Sequence, residues 1–486
     1  MNPVLASRSL RSLAPAACAL LLLLAGCAAD RQIAPRERLP GEAEIARSLH
    51  LGPDPIDGRA GPQWWKRYND PELDRWIEAG LRDSPAPRMA QARIDRARAM
   101  FETASVARLP SAAVGAQATG ERFSANGFFP PPIGGSTIVL NDIDLTAHWD
   151  ADFFGRISSR IEAARGSAMA AQLQAEDARA RLAAAIAHAY FSLARAQRLQ
   201  ELAQSELETR TLLLDLVAAR VHAGLDAEGD RRVALVPVPQ ARAELERSAE
   251  AVELARNALA ALAGAPPQDA ADVRAILPAG TLLDPPAGLP LDLLARRADV
   301  AAARVQAEAT LRTVDAARAD FYPDVSIDAL AGLDAVGAKH LFELASRTWQ
   351  VAPAVHLPLF DAGRLRANLR ASSAEADMAL LAYRGTVLDA AHEAADSLAS
   401  ARSLARQREQ LEISLRSARE AQRLAHVRLT AGLASAQGEF LALVQVQTQE
   451  RSLAELLARA ASNDVSLALA LGGGANVPLP SGGSPR

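Results

Sequence analysis

The sequence predicts a mainly α chain with a small β part, and three observations carry that prediction. Two spans without proline, 156–222 and 364–430, hold apolar residues at helical spacing over nearly equal lengths. Two stretches about two hundred residues apart alternate apolar and polar side chains with the period of two expected of strands. The same punctuation brackets both: ARLPS (107–111) and ADFYPD (319–324) enter the alternating stretches, and DFFGRI (152–157) and LFDAGRL (359–365) leave them. HAGL (222–225) and TAGL (430–433) repeat further on, so the chain reads as an internal duplication, each half supplying one hairpin and one helix pair.

The first element is a targeting segment. Arg8 and Arg11 form a basic start, residues 16–24 a short apolar run, and residues 1–26 read as a signal peptide. Leu24, Ala25, Gly26 and Cys27 resemble a bacterial lipobox, whose cysteine is acylated, so Cys27 is the expected lipidation site and a covalent lipid the only expected non-protein group. Ala28 is not the aspartate that would resemble an inner-membrane retention signal, which favours the outer membrane. Losing Arg8 and Arg11 takes the formal charge from −4 to −6, leaving no basic excess for nucleic acid. Cys18 leaves with the signal, so Cys27 stands alone and no internal disulfide is available.

Residues 27–61 are polar with scattered prolines and read as an acylated, extended arm. A first repeat spans 62–265. It opens with QWWKRYNDPELDRWIEAGL (63–81), where Asp70 before Pro71 is a helix start signal and Trp64, Trp65 and Trp76 read as core anchors. A helix over 88–108 leads to a hairpin at about 109–152, whose loop (120–136) holds Phe123, Phe128, Phe129 and three prolines. Two readings of that loop stay open: an apolar tip resting on its neighbours, or a cap over a pore or partner. The proline-free rod follows, and at 1.5 Å per residue it is on the order of 100 Å long. The chain returns through 244–263, interrupted by Pro237 and Pro239, which predict a kink near the turn, since an interior proline costs roughly 3 kcal/mol. After a linker at 266–290, a second repeat over 291–471 supplies a helix, a hairpin at about 322–361, the second rod and a return through 440–471. Residues 472–486 form a tail.

In the hairpins Val114, Leu145, Ile327 and Val351 alternate with Gln117, Asp142, Asp144, His148, Asp150, Ser326, Asp328, Gln350 and His356. Strands that span a bilayer must close into a barrel, because an open edge leaves backbone groups unpaired in lipid. Four strands are too few, since membrane barrels start at about eight. If the hairpins are membrane strands rather than a small sheet on a periplasmic domain, the chain must therefore oligomerise, with Asp142, Asp144, His148, Asp150, Asp328 and His356 as candidates to line the lumen.

Residues 289–333, LPLDLLARRADVAAARVQAEATLRTVDAARADFYPDVSIDALAGL, and 340–369, HLFELASRTWQVAPAVHLPLFDAGRLRANL, resemble the TolC-like outer-membrane efflux proteins. Within that family they are similar to the NodT-type lipoproteins of resistance-nodulation-division (RND) efflux systems. The resemblance runs from Cys27 to the last long helix. It implies a homotrimer in which four strands per chain build a transmembrane β-barrel and the helices continue as a coiled-coil α-barrel, with 266–290 and the tail in an equatorial belt. It further implies a passive exit duct, docked to a periplasmic adaptor and an inner-membrane RND transporter, that closes at its helix tips. Those tips fall at Gly224 and Gly432, with Arg220, Asp226, Arg423 and Arg428 as gate ion pairs or, equally, solvated charges. AGLASAQGEF (431–440) lacks an aspartate just after its glycine, so no acidic ring is carried over.

Enzymatic readings find no support in the motifs. HEAAD (392–396) lacks the second histidine of a zinc-protease helix, and there is neither a nucleotide loop nor a GxSxG elbow. Two rivals remain, a type I protein-secretion channel and a non-conducting coiled-coil tether of the envelope. The transported substrates, the particular adaptor and pump, and the resting state of the gate are not encoded legibly.

Overall fold

A computed structural model describes residues 33–49, 61–278 and 296–474. Cys27, the signal peptide, residues 279–290 of the linker and residues 475–486 of the tail lie outside the described residues. The described elements are α1 (Glu42–Ser48), a 3₁₀ turn (Trp64–Tyr68), α2 (Pro71–Asp83), α3 (Pro85–Val106), β1 (Ser111–Arg122), β2 (Thr137–Ala151) and α4 (Arg156–His222), followed by α5 (Glu228–Leu235) and α6 (Pro237–Ala263). The second half repeats the plan with α7 (Ala298–Ala319), β3 (Asp324–Val336), β4 (Arg347–His356), α8 (Arg364–Thr430) and α9 (Ala436–Ala470). The two rods, α4 and α8, are 67 residues each and begin and end where proline and glycine punctuate the sequence.

Several boundaries differ from expectation for local reasons. The arm is not extended throughout: residues 42–48 form α1, anchored by buried Ile45. α3 starts at Pro85 rather than residue 88, because proline is preorganised for a first helical turn and lacks only an N–H that would be unpaired there. The return helices start earlier than residues 244 and 440, at Glu228 and Ala436. The proline interruption is a one-residue break: Val236 separates α5 from α6 yet keeps helical angles, φ −53° and ψ −45°. Pro237 and Pro239 cannot donate to the carbonyls of Val233 and Leu235, so the hydrogen-bond ladder breaks while the backbone continues.

The chain divides into two compact units that cut across the sequence repeats. One comprises Asp95–Ala170 and Ala303–Tyr383 with the segment before Pro40. It holds an antiparallel sheet in the order β1-β2-β3-β4, so the two hairpins join through β2 and β3. Below the sheet, Val314 and Ala317 of α7 bury against Leu369 and Ala376 of α8. Small residues let the helices approach: a Cβ on Gly166 would lie 2.8 Å from the Cβ of Ala309.

The second unit comprises Pro40–Ile94, Ala171–Ala302 and the chain from Arg384 onward. Its core gathers Trp64, Trp65, Leu73, Trp76 and Ile77 against Tyr190, Phe191, Leu259 and Val465, so the tryptophans are packing anchors. Asp70 caps α2 by accepting from the Glu72 and Leu73 amides, and its other oxygen accepts from the Tyr190 hydroxyl at 2.6 Å. α8 packs on α9 through Leu404 with Leu456 and Leu415 with Val446, spaced as in a coiled coil. Arg451 of α9 reaches Glu206 of α4 and Glu244 of α6, both at 3.4 Å. Buried Gln447 donates to the Ser205 and Thr209 hydroxyls. These polar ties join the helix pairs of the two repeats.

Candidate functional site

Strand register decides which side chains share a face. Asp142 stands opposite Gln117 and Asp334, Asp144 opposite Gly115 and Gly332, and His148 opposite Ser111 and Asp328. Asp150 pairs with Ser326, and Asp324 with His356. Since alternate residues of paired strands project to one side, all six sequence-predicted lining residues fall on a single polar face. The opposite face carries Val114, Leu145, Ala331 and Trp349 in one row and Ala147, Ala329 and Val351 in another. It is uncovered: Trp349 is 78% exposed and Val114 75%. An apolar sheet face of that extent needs lipid or protein against it. The outer edges of β1 and β4 have no strand partner among the described residues.

Near the base of the polar face, His148 bridges two carboxylates, Nδ1 at 2.7 Å from Asp328 and Nε2 at 3.2 Å from Asp150. Arg156, at the start of α4, holds Asp324 through both carboxylate oxygens, at 3.0 and 2.9 Å. Sequence reasoning missed two residues here. Asp152 accepts from the Ile157 and Ser158 amides and the Ser158 hydroxyl, and Asp361 accepts from the Gly363 and Leu365 amides. Each turns a strand exit into a long-helix start, and the signal was present in the aligned D-F-F-G-R and D-A-G-R segments. Burial pulls the Asp152 carboxyl up, but the Ser158 hydroxyl and the two amides outweigh it and hold the group below the usual carboxylate range. For Asp361 the leading cause, the Leu365 amide, acts in the same downward direction. A cleft of about 300 Å³ between these helix starts is lined by Phe154, Arg156, Tyr322 and Arg364.

At the other end of the rods the two turns are near copies. Gly224 and Gly432 adopt φ of +69° and +70°, and the Leu225 and Leu433 amides reach back to the Arg220 and Arg428 carbonyls at 2.9 and 2.8 Å. This left-handed glycine stop satisfies carbonyls at a helix end. Arg220 does pair with Asp226, Nε to Oδ2 at 2.7 Å, closing the first turn. Arg423, by contrast, pairs with Glu420 on its own helix rather than across the tip, because residues three apart are nearest neighbours on a helix face. Arg428 has no ion pair among the described residues. In its place His426 of α8 meets Glu439 of α9 at 2.7 Å, a cross-turn contact the sequence reading did not single out.

Among the described residues no three His, Cys, Asp or Glu side chains converge as metal ligands, and no helix is long and apolar enough to cross a membrane. His392 of the HEAAD segment lies on an exposed helix face, 3.8 Å from Asp396. An open sheet with one polar and one apolar face, continued by paired long helices, defines the subunit of a membrane channel that combines β and α barrels. The sequence profile described as "Outer membrane efflux protein" matches residues 76–265 and 289–473, and the chain belongs to that family. It is 31% identical over 470 residues to the multidrug resistance outer membrane protein MdtP of Escherichia coli, covering 93% of this chain and 94% of that protein. It is 33% identical over 374 residues to the outer membrane protein OprJ of Pseudomonas aeruginosa, covering 76% and 77%. The crystal structure of the outer membrane protein VceC from Vibrio cholerae superposes with a TM-score of 0.77 at 34% identity, over 84% of this chain and 98% of that one. The outer-membrane channel OprN aligns with a TM-score of 0.80 at 26% identity, over 91% and 99%. The protein is an outer-membrane efflux channel.

Proposed function

We propose that three copies of this chain form a passive exit duct for small molecules, drugs among them, in a tripartite pump with a periplasmic adaptor and an inner-membrane RND transporter. The observation that carries this reading is the segregation of the sheet into a polar and an uncovered apolar face, with β1 and β4 left open at its edges. Closing those edges on sister chains satisfies every ladder and surrounds a polar lumen. Asp142, Asp144, His148, Asp150, Asp328 and His356 line it in this reading, and Cys27 carries the lipid that anchors the chain. No group performs bond chemistry: energy comes from the partner pump, and this protein supplies a path and a gate. The tips at Gly224 and Gly432 are that gate, opened by a change of coiled-coil packing. The Arg220–Asp226 and His426–Glu439 contacts stiffen the tips within one chain, leaving Arg428 available to a neighbouring one. The family relatives named for multidrug resistance favour small-molecule efflux over type I protein secretion, and the amphipathic sheet disfavours a bare tether.

The test is reconstitution of the mature lipoprotein in planar bilayers, with Asp142→Lys and Asp144→Lys as reporters. A duct gives discrete channels whose cation preference falls in both variants. A tether gives no conductance even with the tip arginines replaced. Cysteines on the outer edges of β1 and β4 should cross-link between copies into a ladder ending at three.

A further inference from the structure

The polar face of the sheet does not stay polar to its end. Its last row with paired carboxylates is Gln117, Asp142 and Asp334, the next row towards the hairpin loop is Thr119, Leu140 and Val336, and beyond it Glu121 is the one acidic side chain of β1 and β2 on this face. Ile138 follows, opposite Glu121, and the ladder then extends one step further than the strands: the Phe123 amide donates to the Ser136 carbonyl at 3.0 Å, and the Gly135 amide to the Phe123 carbonyl at 3.1 Å. By strand alternation Phe123 projects to the same face as Gln117, not to the apolar face of Trp349. Its ring meets Phe129 edge to face, centroids 5.2 Å apart, and Phe129 meets Phe128 in the same way at 5.8 Å. The loop that carries them is stiff. Pro130 accepts from the Ile133 and Gly134 amides, and three successive prolines restrict its backbone. Phe128 is nevertheless 95% exposed. A braced loop that holds a bare aromatic ring in the open costs free energy unless something apolar meets it.

We propose that Phe123, Phe128 and Phe129, with Ile138, Leu140 and Val336 beneath them, form an aromatic collar at the outer mouth of the lumen that determines what leaves: it takes apolar and amphipathic solutes and resists hydrated ions. The inference rests on the polar face lining a lumen. Acidic rows below, ending with Glu121, gather cations and wet the path, whereas the phenyl rings above offer nothing to replace an ion's hydration shell and favour local dewetting. A solute with an apolar face loses little water there and gains contact with the rings.

The test places a reporter at the collar in the full mature chain. Phe128→Trp keeps an aromatic ring able to meet Phe129 at a position otherwise open, and its emission is read in proteoliposomes as the difference from the parent protein. The expected result is quenching by the neutral apolar trichloroethanol several-fold stronger than by iodide or caesium, and none by brominated-acyl lipid. Quenching by the brominated lipid would put the ring against the bilayer, and quenching by the ions at the level of a free indole would put it in open water. Either outcome overturns the collar. Trp349 separates this from failure of the channel reading. Trp349→Phe should lower quenching by brominated lipid, with the remainder coming from Trp149 on the same face; if Trp349 is not quenched by that lipid at all, the barrel reading falls, and the collar with it.

Discussion

Asp464 shows how much one buried side chain carries in a helix-rich chain poor in aromatics. Its Oδ2 accepts from Arg67 and from the Tyr68 hydroxyl, both at 2.5 Å, while the Arg67 guanidinium lies over the Trp64 and Tyr68 rings. Burial, reinforced by the Asp464 charge, pushes the Tyr68 hydroxyl far above its usual range, so it remains a donor at every working pH. Removing the acceptor leaves a partly buried cation unmatched. Asp464→Ala is therefore expected to destabilise the protein by about 3 kcal/mol, read as a lowered midpoint of thermal or denaturant unfolding. Asp226 makes a weaker but pH-dependent contribution. The hydrogen bond from Arg220 holds its carboxyl below the ordinary range. Its stabilisation is complete above the unfolded value near 4 and is lost as pH falls through the lower folded value. Asp226→Asn should speed amide exchange at the first tip at neutral pH, and the difference from the parent should vanish in strong acid. The tryptophan anchors were legible from the sequence because large aromatics pack. Asp464 was not, since its partners lie 397 and 396 residues away and nothing local marks them.

At the scale of elements, the legible features were those written in local chemistry. Proline and glycine punctuation placed both rods, and the period of two placed all four strands. The loop after β1 proved shorter than 120–136 because the ladder continues through Arg122 opposite Thr137, which hairpin composition alone does not reveal. The tip glycines carry a specific expectation. A Cβ at Gly224 or Gly432 would meet nothing within 4 Å, so only backbone handedness penalises a side chain there. Gly224→Ala and Gly432→Ala should each cost about 1–2 kcal/mol of local stability, visible as faster amide exchange in the last helical turn without a change in the core. At the break between α5 and α6, Pro237→Ala with Pro239→Ala restores two donors beside a backbone that is already helical at Val236. Amide protection over 228–236 should rise. Unchanged protection would mean that contacts beyond the missing donors, not the prolines, set the break.

For the whole molecule, solvent partition matters more than any single contact. The row of Val114, Leu145, Ala331 and Trp349 is apolar on a face that the chain itself leaves open. Leu145→Arg should cost about 2–4 kcal/mol if it meets the bilayer midplane, and the recovered fraction in outer-membrane extracts should fall accordingly. The same substitution at Thr146, one residue on and facing the other way, should be tolerated. Two-sidedness was legible because register only had to bring residues of like parity together. The compact units were not, because repeats follow chain order whereas packing follows neighbours across 3D space.

The central seam of the sheet has a further consequence. β2 belongs to the first repeat and β3 to the second, and they pair along twelve residues from Leu140↔Val336 to Ala151↔Val325. This junction is the covalently tethered counterpart of the contact that each chain would make with its sister through β4 and β1. A gene encoding a single half would specify a hairpin with both flanks vacant, and six such halves could enclose the same circumference that three full-length chains would in the proposed trimer. Fusion of two halves turns every second joint of that ring into an intramolecular one, halving the encounters required for closure and letting the paired halves diverge. The prolines near one tip and their absence near the other are where that divergence is written.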